Sequence, residues 1–369
     1  MLLHKSVEFD SRVRREARAL AEAGHTVTVA HLPRTLGPSP DDGYAVVPAL
    51  PPRALRRLPL RAHRLRMFGG FIRAASRTRP DAVHAHDAAM LAPALVAARA
   101  TGARLVYDSH ELATGVPYRE RLWARFVRVL ERTVIRRCEA VITVSDGIAD
   151  RLVSLHGLRT RPTVVRNLPE LAGQRGRGGL RARLEIGDAP LVLHQGACAR
   201  SRGCEQLIRA IPDVPDAHLA FLGDEGDPGY TERLRRLAAD EGVAERVHFL
   251  PSVPVDELLA HTREADVGVS LLQDDCENHR LALPNKVFDY VAAEVPVVVS
   301  RLPELERLVA GYGVGWTTDP AQPKEIAAAI NVALARRGDP EVQARLRDAA
   351  VQLRWEIEKE RLVALYDGL

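Results

Sequence analysis

No apolar run in the sequence approaches the ~18 residues of a membrane span, and its start lacks a charged n-region leading into an apolar h-region. A cytoplasmic protein is therefore expected. Cysteine is scarce, with only Cys138, Cys198, Cys204 and Cys276 in 369 residues. Cys198 and Cys204 have no second pair and no histidine cluster at zinc spacing beside them. No metal is expected, and the thiols read as buried and free. Lysine is scarce too: Lys5, Lys286, Lys324 and Lys359 are the only lysines among 52 basic residues. The 48 acidic residues bring the net charge to +4. The arginines form no stripe with interleaved aromatics, so a nucleic-acid partner is not expected. Glycine is missing from the loop "KSVEFDS" that follows the first apolar stretch. Without a G-x-G-x-x-G turn there, a nicotinamide dehydrogenase loses its main support.

What remains is an ordinary globular composition, 46% hydrophobic and 27% charged. A chain of this length exceeds one ordinary core, so two domains of ~150 to 190 residues are expected. Strand-like runs occur at 26–31 "TVTVAH", 82–86 "AVHAH", 104–108 "RLVYD" and 140–144 "AVITV". The first strand, "MLLH", is short. Helical patterns separate these runs; in 12–22 "RVRREARALAE", Val13, Ala17 and Leu20 recur at helical spacing with charge on the other face. Strands separated by helix-length segments predict βαβ units and a parallel sheet. The pattern breaks across 168–188, the candidate linker, and resumes with 190–195 "PLVLHQ", 217–222, 246–250, 266–272 and 295–299. These later strands are almost continuously apolar, as when both sheet faces are covered. Two doubly wound α/β domains follow, with ligands expected outside the carboxyl ends of the strands, in a cleft between the domains.

Chemistry is therefore sought at strand ends. "VHAHDAAM" puts His84, His86 and Asp87 at one end, and "VYDSHEL" puts Asp108, His110 and Glu111 at the next. Asp87 and Ser109 could instead be helix caps. His84 points away from its strand neighbours and reads as structural, whereas His110 is the best candidate to contact a reacting group. In "HQGACARSRGCEQLIRAI", Gly196 and Gly203 bracket a loop that places Arg202 just before a helix, where an anion such as phosphate is favoured. In "LALPNKVFDYVAAEVPVVVS", Pro284 suits a first helical turn. Asn285 and Asp289 share a helix face bordered by Lys286. A diphosphate on Lys286 and a ribose diol on Asp289 would use that amide, cation and carboxylate together.

The segments "DSRVRREARALAEAGHTVTV", "DAVHAHD", "LVYDSHEL", "RRCEAVITVSDGIADRL", "VVRNLPE" and "LPNKVFDYVAAEVPVVVS", taken in order, resemble the family-4 type retaining glycosyltransferases of GT-B fold. The likeness runs through the terminal "RWEIEKERLVALYDGL". It implies two Rossmann-like, doubly wound parallel-sheet domains facing a cleft. Residues 1–167 would form the acceptor domain and 189–350 the donor domain, with a helix at 351–369 crossing back to the first. It further implies transfer of a sugar from a UDP- or GDP-sugar with retention, with no metal and no cofactor beyond that co-substrate. Arg202 matches the family's phosphate-binding lysine position, Lys286 lies in a "PNK" variant of the motif, and Asp289 replaces the ribose-binding glutamate. His110 matches the histidine at the sugar, while His86, Asp87 and Glu111 fall where the acceptor is expected.

Three departures qualify the likeness. Leu281 stands eight residues before Asp289, where a sugar-binding glutamate is expected. Glu277, Asn278 or the backbone around Leu283 would have to serve instead. Ala197 replaces an arginine after Gly196, and Glu294 replaces the glycine after the motif helix, so a left-handed cap there would cost ~1–2 kcal/mol unless the helix ends differently. Backbone contacts around Val253 are expected to read the base. The acceptor is read as a small molecule or a lipid-linked one. An epimerase or hydrolase of the same fold, or a non-catalytic nucleotide-sugar-binding subunit, are the alternatives. The basic amphipathic stretch "PPRALRRLPLRAHRLRMFGGFIRAASR" is a candidate for weak peripheral contact with an anionic membrane.

Overall fold

In the computed structural model, residues 1–32, 43–50, 60–115, 121–171, 178–223 and 226–369 are described. The chain divides into two compact units, one of Met1–Asn167 with Glu358–Leu369 and one of Leu168–Ile357. Of the candidate linker, residues 172–177 lie outside the described residues, and so do residues 51–59 of the basic amphipathic stretch.

The first unit alternates strand and helix. Its strands are β1 (Leu2–Leu3), β2 (Thr28–His31), β3 (Ala45–Pro48), β4 (Ala82–His86), β5 (Arg104–Ser109), β6 (Ala140–Thr143) and β7 (Thr163–Val164). Its helices are α1 (Ser11–Glu22), α2 (Leu60–Thr78), α3 (Leu91–Thr101), α4 (Arg121–Val134) and α5 (Asp146–His156). All seven strands are parallel, in the order β3-β2-β1-β4-β5-β6-β7. Local sequence sets the helix ends. The Asp10 carboxylate caps α1 by accepting from Val13 N–H, Ser145 Oγ caps α5 by accepting from Ile148 N–H, and left-handed Gly102 closes α3. Leu3, Val13, Ala17 and Val29 pack between α1 and the sheet.

The second unit holds α6 (Leu180–Leu184), α7 (Cys204–Ala210), α8 (Pro228–Asp240), α9 (Val255–Thr262), α10 (Glu277–Leu281), α11 (Asn285–Ala292), α12 (Pro303–Tyr312), α13 (Pro323–Ala335) and α14 (Pro340–Gln352). A last helix, α15 (Trp355–Asp367), carries the chain from this unit into the first. The strands are β8 (Leu191–Gln195), β9 (His218–Leu222), β10 (Val247–Leu250), β11 (Val267–Ser270), β12 (Val297–Ser300) and β13 (Gly315–Thr318). They are parallel in the order β10-β9-β8-β11-β12-β13, the doubly wound dinucleotide-fold order. The uninterrupted apolar runs in the sequence have their cause here: Val192, Leu193, Val267, Val269, Val297 and Val299 are fully buried, covered by helices on both faces.

Each sheet reverses its winding at one point, between β1 and β4 in the first unit and between β8 and β11 in the second. Strand ends diverge there and leave a crevice for a ligand. After α11, Glu294 takes φ +61°, so the chain does use a left-handed residue at this turn without a glycine.

Candidate active site

In the second unit, the ends of β8 and β11 open onto a cavity of about 490 Å³. Gly196, Arg202, Val253, Pro284, Asn285, Lys286 and Asp289 all line it, together with His194, Gly223 and Ser252. The loop after β8 is shaped by glycine. Gly196 and Gly203 have φ +82° and +66°, and a Cβ at Gly203 would sit 2.7 Å from both Cβ and carbonyl O of Leu271. Arg202 ends a 3-10 turn, and its Nη1 donates to Ala197 O at 2.9 Å, which aims the guanidinium along the loop. Two sequence candidates fall outside this lining. Leu283 packs against the apolar core, and Asn278 lies buried in α10.

Lys286, in the first turn of α11, donates from Nζ to His194 Nε2 at 3.1 Å. Burial, and then the nearby Arg202 charge, pull its ammonium down to about 7. His194 is itself buried, and burial with the Lys286 charge lowers its imidazole. A neutral His194 can therefore accept from Lys286. The arrangement brings two cationic side chains, the N-terminal amides of α11 and the Asp289 carboxylate, one turn further along α11, to the lining of one cavity. Such a site suits an anion attached to a polyol. The His194 contact has no local sequence signal, because it joins residues 92 positions apart.

The first unit gathers a second polar cluster where β4 and β5 end. Asp108 is fully buried, and Arg12 Nε and Nη2 donate to its two oxygens at 2.8 and 2.9 Å. His110 Nε2 lies 2.9 Å from Asp108 Oδ2 and 3.1 Å from His86 Nδ1. Burial alone would raise the Asp108 carboxyl, but the charges of Arg12 and His110 hold it well below the usual carboxylate range. Burial likewise opposes charge on His110, yet Asp87 and Asp108 outweigh it and raise this imidazole to about 9. His110 is thus a cation at neutral pH, 16% exposed, with Nδ1 at 3.6 Å from Asp87 Oδ2. Asp87 makes no side-chain capping bond and sits at φ +66°, a strained position for a residue other than glycine. Ser109 Oγ donates to Glu111 O at 2.8 Å, and Glu111 is exposed.

One expectation needs correction. The charged face of α1 is not wholly a solvent face. Arg12 and Glu16 are 3% and 0% exposed and turn inward beside Val13 and Ala17. Opposite charges at i and i+4 next to an apolar stripe are the signal that could have revealed them. The cysteines follow expectation in part: all four are free, and Cys198 and Cys204 are buried, but Cys138 and Cys276 are only half-buried.

Comparison with known proteins fits this geometry. Residues 11–168 match the sequence model of Glycosyltransferase Family 4, and residues 189–336 that of Glycosyl transferases group 1. The chain is 30% identical over 299 residues to a GDP-mannose-dependent alpha-(1-6)-phosphatidylinositol monomannoside mannosyltransferase of Mycolicibacterium smegmatis, spanning 76% of this chain and 74% of that protein. It is 28% identical to a D-inositol 3-phosphate glycosyltransferase of Acidothermus cellulolyticus, across 95% and 83% of the two chains. Among solved structures, a sucrose-phosphate synthase from Thermosynechococcus elongatus superposes with a TM-score of 0.80 at 18% identity, over 100% of this chain and 98% of that one. Anabaena HepE in complex with UDP-glucose gives 0.79 at 16%, over 100% and 99%. Two parallel-sheet domains of this kind define a glycosyltransferase of GT-B fold. The chain belongs to the family-4 glycosyltransferases.

Proposed function

We propose that the protein transfers a glycosyl group from a nucleoside-diphosphate sugar, carrying UDP or GDP, to a hydroxyl acceptor with retention of anomeric configuration. The observation that carries this reading is the convergence of Arg202, Lys286 and Asp289 on one cavity at the switch point of the second sheet. Arg202, Lys286 and the α11 amides bind the diphosphate, and Asp289 accepts from the ribose diol. As the glycosidic bond breaks, negative charge builds on the leaving diphosphate, and preorganised cations stabilise it. Those two cations supply that charge without a metal at the diphosphate. In a front-face transfer the departing phosphate takes the acceptor's proton. His110 orients the sugar and Asp87 holds the acceptor; His86, expected beside the acceptor, is fully buried and acts through His110.

Both relatives named above support an acceptor with a polyol hydroxyl, free or lipid-linked, since one is named for an inositol phosphate and the other for a phosphatidylinositol mannoside. The deciding experiment incubates the chain with UDP- and GDP-sugars, with and without inositol-type acceptors and with chelator present. The anomeric configuration of the product is then read by NMR. Retained linkage in an acceptor-dependent product is expected. Release of free sugar at the same rate with or without acceptor, or an inverted product, would overturn the reading.

A further inference from the structure

Four buried atoms of three residues in the first unit have no hydrogen-bond partner: Oε1 and Oε2 of Glu16, Nε2 of His84 and Nε2 of His86. The three residues are at most 1% exposed. Orphaned polar atoms at that depth are costly, each by ~1–3 kcal/mol, and several in one place call for a common partner. Arg12 is not that partner. Its Nε lies 2.9 Å from Glu16 Oε1 but at an angle unsuited to a hydrogen bond, since the N–H is aimed at Asp108. Two buried carboxylates, Glu16 and Asp108, thus lie beside one guanidinium, and Asp108 takes its hydrogen bonds.

The histidines are prepared in a particular way. Two apart on β4, they share a face, and their rings stack with centroids 4.1 Å apart. The Nδ1 of each is already engaged. His84 Nδ1 meets Tyr366 Oη at 2.7 Å, and His86 Nδ1 lies 3.3 Å from Asp108 Oδ2. This is how metal-bound histidines are held: one ring nitrogen is fixed by a hydroxyl, carbonyl or carboxylate, and the other is left to ligate. One ligand atom from each of Glu16, His84, His86 and Asp108 falls in a set whose members all lie within 4.8 Å of one another. Ligands ~2.0–2.1 Å from a tetrahedral zinc lie about 3.3 Å apart, so small side-chain rotations close the set on an ion.

We propose that Glu16, His84 and His86, with Asp108 beside them, form a buried binding site for a divalent transition-metal ion, zinc foremost. Two imidazoles and a carboxylate suit zinc and its neighbours better than calcium or magnesium, which take oxygen ligands. The expectation of no metal drawn from the sequence rests on local spacing, whereas these ligands come from α1, β4 and β5 and meet only in the fold. The site is separate from the diphosphate residues, which belong to the second unit. A bound ion would fix His86 with Nδ1 toward Asp108 and His110, so it is a positioning site for that pair. The binding itself does not depend on the transfer reaction. A second group, Asp275, Cys276 and His279, is a weaker candidate, since Asp275 is exposed and already pairs with His279 at 2.7 Å.

The test uses the full chain, stripped with EDTA, desalted and supplied with zinc chloride. Bound zinc is measured by elemental analysis, and its affinity by competition with a chromophoric chelator. About one equivalent per chain is expected, as for one closed set of ligands. Loss of a ligand should exceed the ~10–100-fold cost of losing a second-layer partner. Glu16→Gln and His84→Gln are therefore expected to weaken retention by at least ~100-fold, and Tyr366→Phe by ~10-fold. His279→Ala should change nothing. Cobalt(II) in the wild-type chain should give visible bands of nitrogen and oxygen ligation without a thiolate charge-transfer band, a readout that stands even if a variant fails to fold. No zinc above background in the wild type would assign the orphaned atoms to a buried water and overturn the proposal. A thiolate band, or unaltered retention in folded Glu16→Gln and His84→Gln chains, would overturn it as well.

Discussion

Lys286 Nζ donates to His194 Nε2 across 3.1 Å, joining the first turn of α11 to the end of β8. This contact places the ammonium at the cavity that Arg202 also lines. Its partner is a neutral imidazole instead of a carboxylate, so the positive charge is not cancelled before an anion arrives.

Replacing either cation should therefore weaken binding of a nucleoside diphosphate. A charge-assisted hydrogen bond is worth ~1.5–3 kcal/mol, so Arg202→Ala and Lys286→Ala are each expected to raise Kd roughly 10- to 150-fold. Isothermal titration with UDP and GDP checks this. The melting temperature should hold or rise in Lys286→Ala, because a buried ammonium is removed. Unchanged Kd in both variants would remove these residues from the diphosphate site.

The depressed Lys286 ammonium also predicts a pH dependence. Free, it titrates near 7, and a bound diphosphate favours its charged form and raises that value. Binding above pH 7 must then take up a proton, so affinity falls as pH rises, by up to about tenfold per pH unit. The fall should be absent in Lys286→Arg, whose guanidinium stays charged. Proton uptake can be read by titration in buffers of different ionisation enthalpy. The same affinity at pH 6.5 and 8.5 in the wild type would contradict this account.

Asp289 is assigned to the ribose, and that role separates from the phosphates. Wild-type protein should bind GDP or UDP more tightly than the corresponding 2′,3′-dideoxy nucleotide, by about 10-fold or more for a hydrogen bond to a charged acceptor. Asp289→Ala should lose most of that preference and keep its affinity for pyrophosphate. A discrimination equal to that of wild type would place the ribose elsewhere.

Arg12 is a stability residue by the same physical reasoning. Removing it leaves Asp108 buried without its bidentate partner, and breaking a buried pair costs ~3–5 kcal/mol. Arg12→Leu is expected to lower the urea midpoint by a corresponding amount, and Asp108→Asn in the same chain should recover part of the loss. A midpoint within error of wild type would show that the pair contributes nothing net.

Much of this architecture was legible along the chain. The valine-rich runs near β8, β11 and β12 read as buried strands because parallel strands are covered on both faces, and that leaves an unbroken apolar string. Caps such as Asp10 and Ser145 act over three or four residues, so they too are written locally. Asn285, Lys286 and Asp289 could be placed on one helix side from spacing alone, and the structure sets all three on the lining of one cavity. Asn278 was not legible in this way: its α10 follows a loop whose course local spacing does not determine, and it ends outside that lining.

The sequence by itself determined the elements, their alternation and hence the parallel sheets, because periodicity and capping operate over a few residues. Only the tertiary structure decided which charges are buried. Arg12 and Glu16 look like a solvated i, i+4 pair until α1 is laid against the ends of β4 and β5, where Asp108 takes the guanidinium and Glu16 turns toward His84 and His86. His194 likewise became the partner of Lys286 only when β8 and α11 met. Desolvation and pairing depend on what packs around a side chain, and residues distant in the chain supply those surroundings.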